Sequence, residues 1–93
     1  MATYVVTYDL RKEENSDDYK PLIEAIKKLN GHKYQLSAWL VSSNLGAKSV
    51  FDSLSAHIDK NDALWVSEFT SDNWYVGALA GTNDWLKKHP PRR

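Results

Sequence analysis

Thr3-Tyr4-Val5-Val6-Thr7-Tyr8-Asp9 is the stretch on which the reading of this chain turns. Seven residues rich in β-branched and aromatic side chains predict a strand. Tyr4, Val6 and Tyr8 fall on one face, and Val5, Thr7 and Asp9 on the other. Both faces carry apolar groups, which predicts a strand inside a sheet rather than at its edge. Asp9 ends it, where the chain leaves for a polar loop. A carboxylate is costly inside a sheet but suited to its rim, where it meets water or a metal ion.

Downstream, Arg11-Lys12-Glu13-Glu14-Asn15-Ser16-Asp17-Asp18 is a polar loop that becomes a helix start. Ser16 or Asp17 can cap, and acidic residues suit the positive end of the helix dipole. Pro21 fits within the first turn, which predicts a start at about residues 17–20. Tyr19, Leu22, Ile23, Ile26 and Leu29 then recur at helical spacing, and Asn30-Gly31 stops the helix. Residues 33–43 are extended, either as one strand or as two short strands reversing near Leu36-Ser37. Asn44 is expected to cap a second helix with the stripe Ala47, Val50, Phe51, Leu54 and Ile58. Residues 63–69 predict a further strand, Trp74-Tyr75-Val76 a short one, and Thr82 or Asn83 can cap a last helical turn over residues 84–88. The tail from about residue 87 to residue 93 is expected to be flexible.

With residues 33–43 split, the order is βαββαβ. This is the ferredoxin-like plan: an α+β sandwich, an antiparallel sheet with two helices on one face, and a short extra strand and helical turn at the end. The 93 residues form a single domain with one core. Four Trp and five Tyr exceed what so small a core absorbs, which points to a subunit interface. Trp39 and Trp65, within apolar strands, are expected in the core; Trp74, Tyr75 and Trp85 are assigned to a surface covered by a second subunit. Twelve basic and twelve acidic residues cancel, so any nucleic-acid contact must rest on a local patch. Lys87, Lys88, Arg92 and Arg93 are the clearest basic cluster and read as a solubilising tail.

Absence of Cys rules out thiolate chemistry, and His32, His57 and His89 lack the spacing of a zinc site. No Gly-rich phosphate loop or nucleophile elbow is present. No apolar run is long enough for a membrane span, so a cytoplasmic protein without a membrane partner is expected.

The strand ending Tyr8-Asp9-Leu10, the helix ending at Gly31, and the following Gln35-Leu36-Ser37-Ala38-Trp39-Leu40 occur in an order that resembles the CRISPR-associated Cas-two family. The resemblance spans roughly residues 3–70. It implies a homodimer whose two Asp9 residues face each other across the two-fold axis. It also implies a metal-dependent endonuclease on RNA or DNA, a subunit of the spacer-acquisition complex beside the CRISPR integrase, or both. Asp9 would then be the catalytic ligand of Mg²⁺ (or Mn²⁺), and Ser37 the hairpin serine near the scissile phosphate. Tyr8 would flank the site, and Arg11 and Lys12 would hold nucleic acid. The acids Glu13, Glu14, Asp17 and Asp18 depart from the family's basic character here and favour a non-catalytic dimeric scaffold as the alternative. A virulence-associated-D-like toxin ribonuclease shares the architecture. Read without the resemblance, Asp9 is an Asx-turn residue and Ser37 a hydroxyl that satisfies a hairpin backbone.

Overall fold

A computed structural model describes residues 1–9, 16–60 and 62–93, with backbone alone over residues 16–19. The elements are β1 (Ala2–Asp9), α1 (Ser16–Lys27), β2 (His32–Gln35), β3 (Ala38–Ser43), α2 (Ala47–Ser55), β4 (Ala63–Glu68) and α3 (Thr82–Lys88). The strands form one antiparallel sheet in the order β2-β3-β1-β4, so β1 is internal as its two apolar faces require. This small α+β architecture is compatible with the ferredoxin-like plan.

Strand alternation builds the core. Ala2, Tyr4 and Val6 of β1 and Trp39 and Val41 of β3 share one face, and pack on Leu22 and Ile26 of α1 and Val50 and Leu54 of α2. Each is at most 6% exposed. Burying one such side chain stabilises by ~1.5–3 kcal/mol before chain entropy is counted.

Residues 33–43 form two strands. Every residue of β3 is buried between β1 and β2, whereas β2 is a half-exposed edge with a register shift between Lys33 and Gln35. Leu36 and Ser37 are the turn, and both are exposed. Reversing there lets one apolar segment gain strand neighbours on both sides.

Several local expectations are corrected. The first helix begins at Ser16, which makes Pro21 its sixth residue. Gly46, not Asn44, is the N-cap of α2, and the entry is held by the Leu45 amide donating to Ser43 Oγ at 3.0 Å. Trp74-Tyr75-Val76 is not a strand. Asn73 Nδ2 donates back to the Thr70 carbonyl at 2.6 Å, and Gly77 bends the chain at φ 76°, so this short run lies between two turns. Trp65 is not core: it is 69% exposed, because Leu64 and Val66 take the helix-facing positions of edge strand β4. The last helical turn is a seven-residue helix entered at Gly81 with φ 91°. It lies on the sheet face opposite α1 and α2, where Thr82 and Leu86 share a hollow with Leu40.

The tail expected to be flexible is fastened instead. Thr3 Oγ1 donates to the His89 carbonyl at 2.8 Å, and the Ser71 amide and hydroxyl both donate to the Arg93 carbonyl at 2.8 Å. Arg92 meets Glu68 through two hydrogen bonds, at 2.8 and 3.0 Å. The Arg92 hydrogen bond holds the Glu68 carboxyl below its ordinary pKa; burial opposes it, and the charges of Arg92 and Arg93 add to it. A depressed carboxyl stabilises the fold above its unfolded value and loses that contribution as pH falls through the folded one. The clamp is therefore intact above about pH 4.3, the free-glutamate value, and opens as the solution is acidified below it. An NMR titration of the Arg92 Nε–H signal checks this: Glu68→Gln is expected to release the tail already at neutral pH.

Candidate functional site

Asp9 is the last residue of β1, opposite Ala63 of β4, and is exposed at the rim of the sheet. Pairing on both sides holds the backbone leading to it, since Thr7 lies opposite both Ala38 and Trp65. The Tyr8 amide donates to the Ser37 carbonyl at 3.2 Å, which fastens the β2–β3 turn to the end of β1. Asp9 and Ser37, far apart in sequence, thus lie at one rim of the sheet, Asp9 at the end of β1 and Ser37 in the turn bonded to the residue before it. Tyr8 turns to the other face, where its hydroxyl lies 3.4 Å from Trp39 Nε1, long for such a bond. Its ring packs toward the helix side, and Tyr8 also lines the hollow beside Asp9. Arg11 and Lys12 lie outside the described residues.

Beside Asp9 is an open hollow of about 260 Å³ whose walls include Thr7, Ala63 and the exposed ring of Trp65. An exposed carboxylate with a serine turn at hand offers hard oxygen donors. Among the described residues, no three His, Asp or Glu side chains come together as a metal-ligating group. An ion at Asp9 would complete its shell from water, substrate or a second copy. Mg²⁺ suits such a site, because it binds through one or two carboxylates and keeps several waters.

The three aromatics assigned to an interface part company. Trp74 is 98% exposed and Tyr75 41%, as a surface role requires. Trp85 is half-buried and serves its own fold: its indole N–H donates to the Asn30 carbonyl at 2.8 Å, and its ring meets those of both His32 and His89. Thr82 Oγ1 donates to the Leu79 carbonyl at 2.7 Å, so at 2.8 Å it accepts from His32, which carries its proton on Nε2. Nothing in the spacing of His32 and His89 signals that they meet one ring.

No family model matches the chain. Among solved structures, it is similar to the crystal structure of a hypothetical protein TT1823 from Thermus thermophilus. The TM-score is 0.61 at 21% identity, covering 84% of this chain and 95% of that one. At that identity the likeness shows the fold alone. No helix among the described residues is long and apolar enough to cross a membrane.

Proposed function

We propose that the chain is a Cas-two-like, CRISPR-associated protein: a homodimer that cleaves phosphodiester bonds of RNA or DNA with Mg²⁺ (or Mn²⁺), working beside the CRISPR integrase in spacer acquisition. The observation that carries the reading is the convergence of Asp9 and Ser37 on one rim through the Tyr8–Ser37 backbone bond. Asp9 from each copy would hold the ion, and two like carboxylates brought together by symmetry favour a shared cation. The Ser37 hydroxyl would donate to a phosphate oxygen and orient the scissile group. Bound Mg²⁺ would stabilise charge developing on the phosphate and acidify the attacking water.

The second copy would cover the uncapped half of the outer sheet face, where Val5, Thr7 and Trp65 lie next to Asp9. A large exposed ring beside the rim has the character of an interface anchor, worth at least about 2 kcal/mol. Trp65→Glu is expected to convert dimer to monomer in sedimentation equilibrium, with the dissociation constant raised at least about 30-fold. An unchanged dimer would move the interface elsewhere.

Cleavage of short RNA and double-stranded DNA, assayed with Mg²⁺, Mn²⁺ or EDTA, tests the reading. Metal-dependent cleavage supports the nuclease. A stable dimer without turnover selects the non-catalytic scaffold, which the acidic run Glu13–Asp18 favours because it repels a phosphate backbone.

A further inference from the structure

A second hollow, of about 250 Å³, lies between the outer face of the sheet and the segment that follows β4. Its walls are aromatic: Tyr34 of β2, Phe69, Trp74 and Tyr75. Leu40, 2% exposed, contributes to it from β3. Polar groups come from the primary amides of Gln35 and Asn73, with Thr82 alongside. None of the residues that line it carries a formal charge. Burial raises the pKa of the Tyr34 phenol, which keeps that group protonated and neutral.

Hydrogen bonds hold the Tyr34 and Tyr75 walls in place, while the Trp74 ring stands exposed at the mouth. The Tyr75 hydroxyl donates to Asn83 Oδ1, and the Leu79 amide donates to the Tyr34 carbonyl at 3.0 Å, joining the loop to the edge of β2. Asn73 spends Nδ2 on the Thr70 carbonyl, so its Oδ1 is left to accept. Gln35 is exposed and can both donate and accept.

Flat rings with amides at their margin match one ligand chemistry. Aromatic side chains stack on the faces of nucleobases, and Asn and Gln amides complement their edges. Pockets for drug-sized ligands begin at about 300 Å³, so this one takes a single ring system and leaves sugar and phosphate outside. An uncharged lining also selects the neutral ring over the anionic phosphate. We propose that this hollow is a nucleobase-binding site, with Trp74 as its stacking platform and Gln35 and Asn73 reading the edge of the base. Gln35 pairs with Ala38, which pairs with Thr7, so the site opens two strand spacings, roughly 10 Å, from β1. Its existence does not depend on catalysis at Asp9.

The test is a titration of the full chain, in EDTA, with the four ribonucleoside monophosphates and with ribose 5-phosphate, following the Trp74 indole N–H by NMR. Saturable shifts are expected with the nucleotides and none with ribose 5-phosphate. Trp74→Ala is expected to weaken binding about 5- to 150-fold, the equivalent of ~1–3 kcal/mol of stacking, and Trp74→Tyr to retain most of it. Trp74 is almost fully exposed, so neither variant threatens the fold. Gln35→Ala is expected to change the ranking of the four bases. A trinucleotide with abasic flanks separates the sources: tighter binding than the mononucleotide assigns the base to a strand, and equal binding to a free nucleotide. Asp9→Asn is expected to bind bases as wild type does, so failure of the nuclease reading and failure of this one are distinguishable. Equal shifts with ribose 5-phosphate, or no saturable shift with any nucleotide, would overturn the proposal. So would a Trp74→Ala variant that dissociates a dimer with base affinity unchanged.

Discussion

Asp9→Asn is expected to abolish metal-stimulated cleavage while leaving melting temperature and dimer unchanged. The amide keeps the shape of the side chain and removes its charge, which is what a hard cation binds. Because the proposed site draws one carboxylate from each copy, a single substitution removes both. Loss of an outer-shell partner of a metal costs 10–100-fold, so removal of both carboxylate ligands should exceed about 100-fold. Asp9 is exposed at a strand end, where substitutions generally alter stability by no more than about 0.5 kcal/mol. Wild type and variant, purified identically, would be assayed on RNA and double-stranded DNA with Mg²⁺, Mn²⁺ or EDTA. Cleavage retained by the variant would count against Asp9. No cleavage from either protein would select the scaffold, with Asp9 as a turn residue.

Gly31→Ala is expected to cause the largest loss of stability of the substitutions considered. Gly31 lies just past the left-handed residue Asn30, at φ 59°, which turns the chain out of α1. A Cβ at position 31 would stand 2.6 Å from the Ile26 carbonyl oxygen and 2.7 Å from Ile26 Cγ2. Neither neighbour can give way easily. The carbonyl accepts the Leu29 amide at 3.0 Å, and the Ile26 side chain is fully buried in the core. Overpacking of this kind costs ~1–3 kcal/mol, and contact with backbone puts this site at the upper end. A domain of this size loses about 4–8 °C of melting temperature per kcal/mol, so the shift should exceed about 5 °C by circular dichroism. Gly46→Ala is the control, since a Cβ there meets nothing within 4 Å. Its cost should stay within about 1 kcal/mol, that of a weaker N-cap. Equal losses at both positions would show that the clash at Ile26 is not the cause.

The candidate site was half legible before folding. Asp9 stands out because a carboxylate closes an apolar strand, a local property of residues 3–9. Ser37 could be tied to it only through the resemblance, because what joins them is a backbone bond between strands 29 residues apart in sequence. The aromatic hollow was not legible at all: Tyr34, Phe69 and Trp74 meet only when the segment after β4 crosses back to β2.

Sequence by itself determined the α+β class, the shared face of Tyr4 and Val6, the helix stripes Leu22-Ile26 and Val50-Leu54, and the stop at Asn30-Gly31 just beyond α1. The faces and stripes follow from dihedral repeats of two or 3.6 residues and the stop from a residue at positive φ, all set within a few positions of each side chain. Only the tertiary structure decided that residues 33–43 divide at Leu36-Ser37, that Trp65 faces outward, and that Trp74-Tyr75-Val76 forms no strand. It alone tied the tail back to Thr3 and Glu68, and brought His32 and His89 against the ring of Trp85. The reason is physical: alternation marks two faces of a strand, but which face is covered depends on the segments that cross it, and here those lie up to 86 residues away.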